Sequence, residues 1–182
     1  MRRKFYYLTF WLILSGFISS YFFFLPFLGQ FLAGAIFGMT MSGFLGSIVK
    51  LSPWKWTGWT VSSFFSYIFA YSILMIWAKG TSSCPTMDWG IPEVGCGNLF
   101  QIAIVSLLGV SILTVAIHFF ISKLCTKEIL KILISGLVAG LIFDLIQYYQ
   151  LFVLSFIAWQ VIVGLTIALV IYGDTLSKDR PC

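Results

Sequence analysis

The sequence predicts an all-α integral membrane protein in which six transmembrane helices form one domain over residues 1–182. Three observations predict it. First, 60% of the residues are hydrophobic and only 9% are charged, with a mean hydropathy of +1.00. A soluble domain carries about 25% charged residues, and its core has no room for so much apolar surface. Second, the apolar residues come in runs matched to a hydrocarbon layer roughly 30 Å thick. Third, the cations stand in short clusters between those runs. That pattern sets aside the nucleic-acid reading invited by a net charge of +5.

The first run, Phe5 to Val49, contains no charge. As one helix it would be roughly 68 Å long, so it must fold back once. Leu25-Pro26-Phe27-Leu28-Gly29-Gln30 is its only turn-like stretch, because Pro26 lacks a backbone donor and Gly29 bends freely. Helices are therefore expected over residues 6–26 and 30–49. A polar break at Lys50–Lys55 precedes a third helix over 57–78. Residues 79–97 form a Gly-, Pro- and Ser-containing loop, and a fourth helix follows at 99–121. After the basic stretch 122–131, the run Ile132–Tyr172 again exceeds one span, at roughly 60 Å. It divides near residues 150–154 into helices over 132–150 and 154–172.

The charges orient this arrangement. With six spans, Arg2, Arg3, Lys4, Lys50, Lys55, Lys123, Lys127, Lys131, Lys178 and Arg180 share one side, and only Lys79 lies on the other. The positive-inside rule then puts both termini in the cytoplasm. Trp54, Trp56 and Trp59 fit an inner aromatic belt, and Trp77 an outer one. The cluster Arg2-Arg3-Lys4 ahead of a long apolar run reads as a signal anchor. Cys84 and Cys96 share the outer loop, where a disulfide persists and would close a ring of about a dozen residues, worth up to roughly 3 kcal/mol. Cys125 and Cys182 fall on the inner side.

Small residues recur every fourth position in two helices: Gly34, Gly38, Ser42 and Gly46 in the second, then Gly136 and Gly140, with Asp144, in the fifth. Each row lines one helix face and lets a neighbouring backbone approach. A shift of 102 residues carries Gly34 to Gly136 and Ser42 to Asp144. It raises two alternatives, a 3+3 inverted repeat of the kind transporters use, or helix packing without pseudo-symmetry.

Asp144 is the acidic residue inside a predicted span, with Gln147 and Tyr148 on its face and Gln160 on the returning helix. Intramembrane carboxyl groups cost on the order of 2.5–3.5 kcal/mol and mark solute or proton sites. Two readings stand: Asp144, Gln147, Tyr148 and Gln160 form a solute site, or Asp144 is a protonated clamp bonded to Gln160. His118 falls near the inner end of the fourth helix and reads as interfacial. No GxSxG, HExxH or CxxC motif is present, so the chain is read as non-enzymatic, with no cofactor and no metal.

In length and number of spans the chain resembles the substrate-binding S-components of energy-coupling-factor transporters, a likeness of architecture only. Gly34-x-x-x-Gly38 followed by the Trp54–Trp59 cluster, and Gly136-x-x-x-Gly140 with Gln147 and Trp159, give a second likeness. That rhythm is similar to small Gly- and Trp-rich polytopic membrane proteins of unknown function of the cyanobacterial type, and implies no activity. The expected function is a membrane subunit that binds or passes a small solute. The alternative is a structural or assembly subunit of a larger membrane complex. The expected partners are the lipid bilayer and other membrane subunits, not nucleic acid.

Overall fold

A computed structural model describes residues 2–23, 28–49, 51–80, 99–148 and 151–176. Within them lie six helices: α1 (Arg2–Phe23), α2 (Leu28–Ile48), α3 (Pro53–Gly80), α4 (Leu99–Phe120), α5 (Thr126–Tyr148) and α6 (Phe152–Leu176). Each packs along its neighbours in sequence, and α6 closes back on α1. The result is an up-and-down ring, with α2 and α6 touching lightly across it.

Three helices start four or more residues before the expected bounds, α1 at Arg2, α3 at Pro53 and α5 at Thr126, and at α3 and α5 the start has a local cause. Pro53 opens α3 with its fixed φ and absent donor. Ser52 caps it: its hydroxyl accepts from the Lys55 N–H at 3.5 Å and its carbonyl from the Trp56 N–H at 3.0 Å. At α5, Glu128 Oε2 accepts from the Cys125 N–H at 2.9 Å, and the Cys125 carbonyl accepts from the Glu128 N–H at 2.9 Å. That reciprocal pair satisfies amides that would otherwise be orphaned, and it places a carboxylate at the positive end of the helix dipole. The stretch read from sequence as basic loop is therefore largely the first turns of α5, with Lys127 and Lys131 exposed.

The exterior is apolar as well as the core, and small polar side chains are buried within the bundle. Ser15, Ser19, Ser42, Ser63, Ser66, Ser106 and Gln160 are buried. Tyr6, Phe10, Trp11, Phe65, Phe119, Ile134, Leu145 and Leu169 are exposed. In water this arrangement would leave large apolar side chains facing solvent on every side; lipid is the medium that matches it. Among the described residues four helices are long and apolar enough to cross a membrane: Arg3–Phe22, Gln101–Phe120, Thr126–Ile146 and Phe152–Gly173. The described part of α2 adds a shorter apolar helix, Leu32–Ile48.

Small residues set the helix spacing. A methyl group at Gly34 would stand 2.9 Å from the Ser63 carbonyl oxygen, and one at Gly38 would stand 3.1 Å from the Thr60 Cα. Both therefore face α3. Gly136 and Gly140 face α4, where added carbons would lie 2.7 Å from Val110 Cγ2 and 2.7 Å from Ser106 Cβ. A repeat shifted by 102 residues would place the second row against α6, the counterpart of α3. It faces the preceding helix instead, so the two rows are packing surfaces without the equivalence their spacing suggested. The first row also ends at Ser42, whose hydroxyl lies 3.1 Å from Thr60 Oγ1. Gly46 is exposed and has nothing within 4 Å of its would-be Cβ.

These contacts separate the glycines by consequence. Gly38→Leu and Gly140→Leu are each expected to lower thermal stability in detergent, by on the order of 1–3 kcal/mol for a side chain with no space to enter. Gly46→Leu is expected to melt with the wild type. Equal melting of all three variants would show that the rows face lipid.

Candidate functional site

The polar centre of the bundle is built on Gln160, whose side chain is fully buried on α6. Its Oε1 accepts from Ser15 Oγ at 2.5 Å, and its Nε2 donates to Ser19 Oγ at 2.9 Å. Ser15 and Ser19 are four residues apart on α1 and so share a face. Gly16 makes the approach possible, because a Cβ there would sit 2.6 Å from the Ile157 Cα. The amide thus ties the first helix to the last.

Trp159, one residue before Gln160, reaches across to α4. Its Nε1 donates to Ser106 Oγ at 2.7 Å, and Ser106 Oγ donates in turn to the Gly136 carbonyl of α5 at 2.6 Å. The Trp159 ring stands edge-on to Tyr67 of α3, with centroids 5.2 Å apart, and to Phe37 of α2 at 5.8 Å. Side chains from five helices and the Gly136 carbonyl of α5 therefore converge on the region around Trp159 and Gln160.

Two polar atoms at this centre are left over. The buried Tyr67 hydroxyl has the Gln160 side chain as its polar neighbour but makes no hydrogen bond of good geometry with it. Trp59 Nε1, two turns along α3 toward Pro53, is likewise buried and unpartnered. Both belong to an inward-facing α3 series that includes Ser63, whose hydroxyl donates to the Gly34 carbonyl at 3.0 Å. A buried hydroxyl without a partner costs about 1–3 kcal/mol, so each such atom marks a place where a further group would be stabilising.

Asp144 and Gln160 do not meet. Asp144 is half-buried four residues before the end of α5, while both functional groups of Gln160 are engaged by α1. The cause is register. Phe143 packs on Phe156 with ring centroids 5.3 Å apart, which centres the α5–α6 reversal between residues 149 and 150. A reversal near 152 was needed to level Gln160 with Asp144; the observed one leaves Gln160 about a turn deeper. The side chains of Gln147 and Tyr148, and the pair Cys84 and Cys96, lie outside the described residues.

His118 has a local task. Its Nδ1 accepts from the Leu124 N–H at 3.1 Å and so closes the α4–α5 turn. Among the described residues no three His, Cys, Asp or Glu side chains come together as a metal site. Ser15, Ser19, Tyr67 and Ser106 were not singled out from sequence. Serine spaced by four within an aromatic helix was the available signal, but serine is common enough in membrane helices that spacing alone does not choose a face.

No family model, curated protein or solved structure matches the chain. What the described residues define is a class: a helical bundle with a lipid-compatible exterior and a mainly apolar core that holds buried serines and one glutamine.

The hydrogen bonds rank the polar residues. Gln160→Leu removes both bonds to α1 and is expected to destabilise the bundle by about 1–2 kcal/mol, given an average of about 0.6 and a maximum of about 1.7 kcal/mol per bond between membrane helices. Asp144→Asn is expected to match the wild type in a detergent melt. If Asp144→Asn were the more damaging change, Asp144 rather than Gln160 would be the anchor.

Proposed function

We propose that the protein is a non-enzymatic, six-span membrane subunit that binds a small neutral polar solute at the centre of its helix ring. The observation that carries this reading is the Tyr67 hydroxyl, buried beside the Gln160 amide without a hydrogen-bond partner. A solute offering one donor or acceptor there would complete the set. The edges and faces of Phe37 and Trp159 would enclose its apolar part. Hydroxyls, one amide and one indole N–H surround the position, which favours a neutral solute over an ion.

The ring supports a reading of six spans. α2 and α3 lie between α1 and α4, which have spanning length, and pack alongside them. At 28 residues α3 extends roughly 42 Å, more than a hydrocarbon layer requires. The charge asymmetry then places both termini in the cytoplasm and residues 81–98 outside, where a Cys84–Cys96 bridge would survive.

A second reading, a structural subunit of a larger complex, draws on α1. Tyr6, Tyr7, Phe10, Trp11, Phe17 and Tyr21 are exposed along it, an aromatic density suited to contact with another subunit.

One variant separates the two. Purified from its native membrane in mild detergent, the wild type should retain a small polar molecule identifiable by mass spectrometry. Tyr67→Phe should stay folded but retain at least about tenfold less, the equivalent of about 1.4 kcal/mol. An empty wild type together with a Tyr67→Phe variant that is simply more stable would transfer the case to the structural subunit.

A further inference from the structure

The ring also carries a cleft at the end where its chain begins, between the first turn of α1, the last turns of α2 and the end of α6. It encloses about 310 Å³ and is lined by Lys4, Phe5, Phe44, Ile48 and Tyr172. Phe5 forms its wall, edge-on to Phe44 with centroids 5.7 Å apart and to Tyr172 at 5.8 Å. Ile48 completes the apolar surface. Among the described residues Lys4 is the one charged residue in the lining, and no carboxylate stands with it.

Lys4 Nζ donates to the Ser47 carbonyl at 3.2 Å. Ser47 lies in the last turn of α2, where carbonyls lack helical partners, so one ammonium hydrogen meets an orphan acceptor. An ammonium carries three donors, and two remain for another acceptor. The same end of the bundle presents Arg3, Lys55, Lys123 and Lys127 as exposed residues, so an anion arriving there meets a favourable field.

We propose that this cleft is a binding site for one acidic phospholipid, with its phosphate on Lys4 and an acyl segment lying along Phe5, Phe44 and Ile48. A fixed cation at the rim of an apolar cleft complements a molecule that is anionic at one end and hydrocarbon at the other. The volume, at the lower end of small-molecule sites, accepts a length of one chain. The cleft stands at the end of spanning helices, the level at which headgroups lie. The proposal rests on the bilayer placement of the ring and is independent of the central solute.

Three variants test it: Lys4→Gln, Ile48→Trp to fill the cleft, and Arg3→Gln as a neighbouring charge outside it. Each protein, purified in detergent, is titrated with phosphatidylglycerol or phosphatidylcholine, and both thermal stabilisation and lipid retained after washing are read. The wild type should prefer phosphatidylglycerol. Lys4→Gln should weaken that binding about fivefold, the effect of one lysine at a membrane surface. Ile48→Trp should abolish retention, and Arg3→Gln should leave the wild-type value. Inorganic phosphate at the same concentration should not displace the lipid, because it lacks the chain. Equal response to the two lipids, equal loss in Lys4→Gln and Arg3→Gln, or full displacement by phosphate would each overturn the proposal. Should Ile48→Trp fail to fold, the contrast between exposed Lys4 and exposed Arg3 decides alone.

Discussion

Close helix contact at small residues, fastened by a hydroxyl turned onto a facing carbonyl or amide, is the interaction on which the bundle depends. In a bilayer, lipid tails are as apolar as leucine, so burial of hydrocarbon gives helices little reason to associate. Van der Waals contact and interhelical hydrogen bonds remain. Ser63 reaches the Gly34 carbonyl across α2 and α3, Ser66 the Gly109 carbonyl across α3 and α4, and Ser106 the Gly136 carbonyl across α4 and α5. The ring closes in the same manner where Ser15 and Ser19 take the Gln160 amide and Gly16 admits the α6 backbone. A carbonyl has two lone pairs, so each can accept such a bond without giving up its place in its own helix.

This mode of closure shapes the centre. Because the contacts that hold the ring are small and polar, the larger side chains that face inward meet near the axis. Phe37, Tyr67 and Trp159 gather there, with Gln160 beside them. The lateral bonds engage both polar atoms of Gln160 and the indole N–H of Trp159 and leave the Tyr67 hydroxyl over. A protein optimised for rigidity alone would gain from phenylalanine at that position, since an unsatisfied buried hydroxyl is a cost without return. That asymmetry between bonded frame groups and the unpartnered Tyr67 hydroxyl favours a binding centre over a purely structural one.

The division into six helices was legible in the sequence because its signals are local. The turn-like stretch around Pro26 marked the break in the first long run, and lysine clusters marked those before α3 and α5. The rows through Gly38 and Gly140 were legible as packing faces, since four-residue spacing fixes a face whatever packs on it. Which neighbour they meet was not legible, because the choice between preceding and following helix depends on the rotation of each helix in the ring. The reversal between α5 and α6 carries no Pro or charge, and an error there of about two residues moved Gln160 a turn away from Asp144. The true partners of Gln160, Ser15 and Ser19, lie more than 140 residues away in sequence. No periodicity within one helix can reveal a contact of that range. Asp144 drew attention because a carboxylate is costly in lipid, yet its place near the end of α5 lets it approach the interface, which lowers that cost.

Closure of α1 on α6 through Gln160 is the claim from which the ring and its centre follow, and proximity in the native membrane tests it most directly. Cysteine pairs would be introduced at Ser19 with Gln160 and at Asp144 with Gln160, treated in intact membranes with a short thiol crosslinker, and mapped by peptide mass. The closed ring predicts efficient crosslinking of the 19–160 pair and none between 144 and 160. Crosslinking of 144 to 160 without 19 to 160 would contradict the closure of the ring and return Gln160 to α5.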